Sequence, residues 1–90
     1  MKQEELASLI TYPCDFPIKV MGASQPGFAQ TVADIVRKHA PDFDPGTVEM
    51  RMSRARKYIS VTATIRATSR EQLDALYREL SDHPIVAMVL

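Results

Sequence analysis

Apolar residues recur at two different periods along this chain, and the switches between them mark its elements. From Phe16 to Met21 they alternate, with Phe16, Ile18 and Val20 on one side and Lys19 and Met21 on the other. This predicts a strand over 16–22, ended by Gly22. Phe28, Val32, Ile35, Val36 and His39 then follow at three- and four-residue steps, one stripe on a helix expected over 26–40. Ser24-Gln25-Pro26 reads as its start, a polar cap followed by a proline whose missing N–H costs nothing there. Ala40-Pro41 ends it, and Asp42-Phe43-Asp44-Pro45-Gly46 is turn-rich.

Alternation returns at Thr47, where Val48, Met50 and Met52 oppose Glu49, Arg51 and Ser53. It is cleaner over Tyr58–Ala67, where Ile59, Val61, Ala63 and Ile65 oppose Tyr58, Ser60, Thr62, Thr64 and Arg66. Two such runs joined by a short polar link predict a hairpin with strands over 47–54 and 57–67. Thr68-Ser69-Arg70-Glu71-Gln72 holds two overlapping capping boxes, Thr68 with Glu71 and Ser69 with Gln72. The helix behind them, expected over 70–82, buries Leu73, Leu76, Tyr77 and Leu80. Asp82-His83-Pro84 breaks it, and a last, almost wholly apolar strand is expected over 84–90.

The order strand, helix, strand, strand, helix, strand, with right-handed crossovers, gives a ferredoxin-like βαββαβ sandwich of the α+β class. Its four-stranded antiparallel sheet carries both helices on one face. One domain is expected over 16–90, preceded by an N-terminal arm or short helix over 1–15, where Leu6, Leu9 and Ile10 have helix-like spacing. The sheet face away from the helices is polar with short side chains and is open to water, to a ligand or to another chain.

Composition narrows the function classes. Eleven basic and eleven acidic residues cancel, so no global field draws nucleic acid or an anionic membrane. The apolar runs are too short to span a bilayer, and Met1-Lys2-Gln3-Glu4-Glu5 has acids where a signal peptide is basic. A cytoplasmic location is expected. Cys14 is the single cysteine, so no intrachain disulfide forms, and the two histidines are too scattered for a structural zinc site. No cofactor is expected. A domain this small has a thin core and often gains support from a partner chain. The apolar edge strand at the C-terminal end therefore predicts a two-fold homodimer, unless the arm covers it.

The run Tyr12-Pro13-Cys14-Asp15-Phe16-Pro17-Ile18-Lys19-Val20-Met21-Gly22 resembles the aromatic-Pro-x-x-Phe-x-x-Lys-Val-Met-Gly opening of the YbeD-like (UPF0250) family of small bacterial proteins. Arg37-Lys38-His39-Ala40-Pro41, Tyr58 with its serine- and threonine-rich strand, Glu79-Leu80 and the terminal Ile85-Val86-Ala87-Met88-Val89-Leu90 also fit. The resemblance implies a fold similar to ACT-type regulatory domains, which bind small effectors near the loop after strand one, often across a dimer interface. It carries over no catalytic residues, and it brings a suggested link to lipoate metabolism. In one place the chain departs: relatives tend to have glycine in the turn between strands two and three, where this chain has Arg54-Ala55-Arg56-Lys57.

The chemistry-bearing residues point away from catalysis. His39 lies on the apolar stripe near a helix end, where an imidazole suits the dipole. His83 precedes a proline in a turn, Cys14 has no basic neighbour in sequence, and Asp42 and Asp44 flank a Pro-Gly turn. No nucleophile is followed by an oriented base, so the chain is expected not to be an enzyme. RNA binding is disfavoured because strand three offers one outward ring, Tyr58, where base stacking needs neighbouring rings.

Two candidate sites remain. Gly22, Ala23, Ser24 and Gln25 form a small-residue loop opening a helix, suited to a small anion. Arg51, Arg54, Arg56 and Lys57 form a basic cluster suited to an anionic metabolite or an acidic protein partner. The function expected is a noncatalytic regulatory module binding such an effector or partner, the alternative being a protein–protein adaptor without a small ligand.

Overall fold

The computed structural model describes residues 11–90. Strand β1 spans Cys14–Ala23, helix α1 Phe28–His39, β2 Glu49–Met52, β3 Tyr58–Ala67, helix α2 Arg70–Asp82 and β4 Met88–Val89, with a short 3-10 turn at Pro45–Thr47. The four strands form one antiparallel sheet in the order β2-β3-β1-β4. This is the expected ferredoxin-like arrangement. The expected arm over 1–15 falls largely outside the described residues; Thr11, Tyr12 and Pro13 lead directly into β1.

The alternation read from the sequence sorts the sheet faces. Ile18 and Val20 of β1 and Ile59, Val61, Ala63, Ile65 and Ala67 of β3 are buried under the helices. Helix α1 contributes Phe28, Val32, Ala33, Ile35 and Val36, and α2 contributes Leu73, Leu76 and Leu80. Burying such side chains supplies roughly 1.5–3 kcal/mol each against the entropy of ordering the chain. Phe43, which the sequence places in a turn-rich loop, is buried too, its N–H donating to the Ala40 carbonyl at 2.9 Å. The opposite face carries Asp15, Lys19 and Met21 of β1 beside Arg66, Thr62 and Ser60 of β3.

Several element ends differ from expectation, each for a local reason. Strand β2 starts late because Asp44 caps the 3-10 turn: its Oδ1 accepts from Gly46 N–H at 2.9 Å and its carbonyl from Thr47 N–H at 3.0 Å. Strand β4 is much shorter than 84–90. Val86 N–H donates to the His83 carbonyl at 3.0 Å and Ile85 N–H to His83 Nδ1 at 3.3 Å, so a turn takes up the residues after Pro84. Ladder hydrogen bonds to β1 begin only at Ala87, whose N–H reaches the Met21 carbonyl at 2.8 Å, and continue to Leu90, paired with Lys19. Ser24 does not cap α1. Its N–H donates to the Lys57 carbonyl at 2.9 Å, prolonging the β1–β3 ladder, and the cap is Gly27 with φ 81°.

At the other helix Ser69 caps as expected, its Oγ accepting from Gln72 N–H at 3.1 Å. The Gln72 side chain reaches back one residue further than a simple box, accepting from Thr68 N–H at 2.7 Å. It also donates to the His39 carbonyl at 2.9 Å, which ties the end of α1 to the start of α2.

Candidate functional site

The structure brings both candidate segments to one corner of the molecule. In the β1–β3 register Ala23 faces Tyr58, and the Ser24–Lys57 hydrogen bond carries that pairing into the two loops. The small-residue loop and the basic hairpin therefore lie side by side. Below them the open sheet face forms a hollow of about 370 Å³. Met21 of β1, Met88 of β4 and Tyr58 of β3 give it apolar walls, while Arg51, Ser53 and Ser60 add polar groups. A second hollow of about 280 Å³ adjoins it through Arg51 and Ser60 and is polar, with Lys19, Glu49 and Thr62 around it. A pocket with apolar walls and a few convergent polar groups is the usual form of a small-molecule site.

The four loop residues play different parts. Gly22 is buried within the sheet: a Cβ there would run into the Ile85 carbonyl oxygen and come within 2.6 Å of Phe28 Cε2. It is thus required for β1 to pack between the start of α1 and the turn before β4. Ala23 and Gln25 are exposed, and the Gln25 carbonyl accepts from Phe28 N–H at 3.3 Å. Helix α1 has no side-chain cap and no acidic residue in its first turn, so its positive dipole end is not offset by a charge on the helix itself.

The hairpin is built from Ser53. Its carbonyl accepts from Arg56 N–H at 2.9 Å, its N–H donates to the Tyr58 carbonyl at 2.9 Å, and its Oγ accepts from Tyr58 N–H at 3.1 Å. Arg56 sits at φ 58°, in the left-handed region that favours glycine. A cation thus holds the conformation that glycine adopts most readily. Arg51, Arg54, Arg56 and Lys57 are all exposed, and none forms an ion pair among the described residues.

His39 and Tyr77 have structural partners. His39 Nε2 donates to Glu79 Oε1 at 2.8 Å and Lys38 Nζ to Glu79 Oε2 at 2.6 Å. These two hydrogen bonds hold the Glu79 carboxyl below its ordinary value. The trio clamps α1 to α2 on the side of the molecule away from the sheet. Tyr77 donates its hydroxyl to the Leu90 carbonyl at 3.2 Å, and its burial raises its pKa. Phe16 meets Tyr77 edge-on, with ring centroids 6.5 Å apart, on the helix side. Tyr58 is therefore the one ring that the described strands present on the open face. Among the described residues no three His, Cys, Asp or Glu side chains gather as a metal site, and no helix is long and apolar enough to cross a membrane.

Met21 and Met88 were not legible as site residues. Met21 reads only as the strand-one side opposite Phe16, Ile18 and Val20, and Met88 only as part of an apolar strand; their meeting depends on β4 pairing beside β1 with Met21 opposite Met88.

Comparison with known proteins agrees with this fold. A solution structure of protein HP0495 from H. pylori superposes with a TM-score of 0.73 at 15% identity, covering all of this chain and 94% of that one. The ACT domain from GTP pyrophosphokinase of Chlorobium tepidum superposes with a TM-score of 0.64 at 18% identity over 84% of each chain. At such identities the likeness shows the fold alone. A UPF0250 protein of Nitrosomonas europaea is 63% identical over 83 residues, 92% of this chain and 95% of its own. One from Bordetella pertussis is 59% identical over the same length, 92% of this chain and 91% of its own. Residues 7–90 match the family model described as protein of unknown function (DUF493), and with these relatives the chain belongs to the DUF493, or UPF0250, family.

Proposed function

We propose that this chain is a noncatalytic binding module that takes a small amphiphilic anion at the corner formed by the hairpin, the β1–α1 loop and the open sheet face. One observation carries the reading: the two candidate segments converge on an apolar hollow with Arg51 at its wall and Arg54, Arg56 and Lys57 beyond it. Met21, Met88 and Tyr58 suit the apolar body of such a ligand, and the guanidinium groups suit a carboxylate or phosphate head. An ACT-like fold is consistent with a regulatory use, in which binding changes what the module associates with.

The test is a thermal-shift measurement with hexanoate, hexanol and inorganic phosphate as probes. A ligand that binds only the folded state raises the melting temperature. Hexanoate should raise it more than either hexanol or phosphate, because only hexanoate engages both the apolar walls and the cations. In an Arg54→Glu/Lys57→Glu variant the hexanoate shift should shrink while the unliganded melting temperature stays the same, since exposed charges add little to stability. Equal shifts with hexanol and hexanoate, or no shift with any probe, would contradict the reading.

A further inference from the structure

Strand β2 is the outer strand of the sheet, and among the described residues nothing pairs with its free edge. Edge strands are ordinarily protected by being short, by charge (lysine above all), by proline, by a bulge or by a covering element; β2 is short and carries Glu49 and Arg51, charges that can also pair with each other across a two-fold axis. Glu49-Met50-Arg51-Met52 has neither proline nor lysine and pairs with β3 without a bulge. Met50 and Met52 lie on the helix side of the sheet, yet they remain 58% and 46% exposed, because the helices bury the β1 and β3 side chains and leave β2 beyond their cover.

The backbone at this edge is aligned for pairing. Ser53 donates its N–H to the Tyr58 carbonyl, and by the alternation of an antiparallel ladder Arg51 and Glu49 also turn their backbone groups toward β3. The N–H and C=O groups of Met50 and Met52 therefore point outward.

We infer that β2 is a self-association edge, pairing antiparallel with β2 of a second copy across a two-fold axis centred on Met50. The register follows from the charges. Directly opposed residues in an antiparallel pair share a sheet face, so a two-fold axis must pass through a residue pair. Centred on Met50, it sets Glu49 opposite Arg51 of the second copy and Arg51 opposite its Glu49, two opposite-charge pairs on the open face. On the helix side Met50 meets its own counterpart and Met52 meets Val48. Centred on Arg51 it would oppose two arginines, and centred on Glu49 two glutamates, and like charges directly opposed destabilise a pair. The strand is thus complementary to itself in one register. An isologous contact of this kind closes as a dimer and does not propagate. The two sheets would then run on as one, with both ligand hollows on the same face. The five donors of a guanidinium leave Arg51 able to meet the second copy's Glu49 and still face its own hollow. The inference does not depend on the ligand reading, and it moves the interface expected from the sequence at the β4 edge to the opposite edge of the sheet.

Sedimentation velocity of the full chain, from low micromolar to high micromolar concentration, tests it in four forms: wild type, Glu49→Arg, Arg51→Glu and the double exchange. The wild type should show a concentration-dependent dimer. Each single reversal should weaken it at least about tenfold by opposing like charges. The double exchange should restore it, because swapping the two charges within the strand again sets opposite signs against each other across the axis. Circular dichroism confirms that each variant is folded. A second measurement fixes the register: in a Cys14→Ser background, Met50→Cys should form an interchain disulfide under mild oxidation far faster than Met52→Cys. A strictly monomeric wild type, single reversals without effect, a double exchange that fails to restore the dimer, or faster crosslinking through position 52 would each overturn the inference.

Discussion

Replacing Gly22 with alanine is the sharpest perturbation the fold offers, because the added methyl has no room to occupy. It would meet the backbone carbonyl of Ile85, with Phe28 Cε2 at 2.6 Å and Cζ at 3.1 Å, where carbon pairs rest at about 3.5–4.0 Å. The phenyl ring can tilt, but the carbonyl belongs to the turn anchored by His83 and leads straight into β4. Overpacking of this kind costs about 1–3 kcal/mol, and a rigid backbone partner puts it at the upper end. The reduced freedom of the unfolded alanine chain returns about 0.4–1 kcal/mol. The net loss is about 2–2.6 kcal/mol, a large share of the roughly 5–13 kcal/mol available to a domain of this length. At about 4–8 °C per kcal/mol the melting temperature should fall by about 10–20 °C. Gly27→Ala is the control: its Cβ would meet nothing within 4 Å, so only the strain of φ 81° acts, costing about 1 kcal/mol. Adding Phe28→Leu to Gly22→Ala should relieve the ring contact but not the carbonyl one. Calorimetry of the four proteins decides the matter. If Gly22→Ala melts within about 4 °C of wild type, or is lowered no more than Gly27→Ala, the packing argument is refuted.

Other outcomes follow from the hairpin and the helix clamp. Arg56→Gly should raise stability by about 0.5–1 kcal/mol, because relief of the left-handed strain at φ 58° exceeds the entropy cost of glycine; a thermal melt reads it as a few degrees. Glu79 has its carboxyl held below the ordinary value of 4.5 by hydrogen bonds from Lys38 and His39. A lowered folded-state pKa gives stability that is fully present above the unfolded value and lost as pH falls through the folded one. Chemical denaturation should therefore show wild-type stability falling as the pH drops below about 4.5, and Glu79→Gln should remove part of that fall.

Most of the fold is legible in the sequence because its signal is local. The alternation of Tyr58–Ala67 and the stripe from Phe28 to Val36 each state which side is buried, and the structure places those side chains there. What the sequence obscures are the ends, where side chains far along the chain intervene. Ser24 looks like a helix cap, but the Ser24–Lys57 hydrogen bond carries the β1–β3 ladder through it and the helix begins only at Phe28, behind Gly27; the apolar run after Pro84 looks like a long strand until His83 holds its first residues in a turn. The candidate site was half visible for the same reason. Gly22–Gln25 and the basic hairpin stand out by composition, but their adjacency arises only from the β1–β3 register, and the methionine walls only from β4 pairing beside β1. Gly22 illustrates the opposite confusion, since a glycine that looks placed for a ligand is required by Phe28 and the Ile85 carbonyl.

If the hairpin, the β1–α1 loop and the open sheet face act as one binding corner, an amide-resonance NMR titration with hexanoate shows it most directly. Saturable shifts are expected at Met21, Arg51, Tyr58, Ser60 and Met88, around the hollow, and at Ser24 and Lys57 above it, with the Lys38–His39–Glu79 side of the molecule unmoved. Shifts confined to the helix side, or a spectrum that stays unchanged to high ligand concentration, would contradict it.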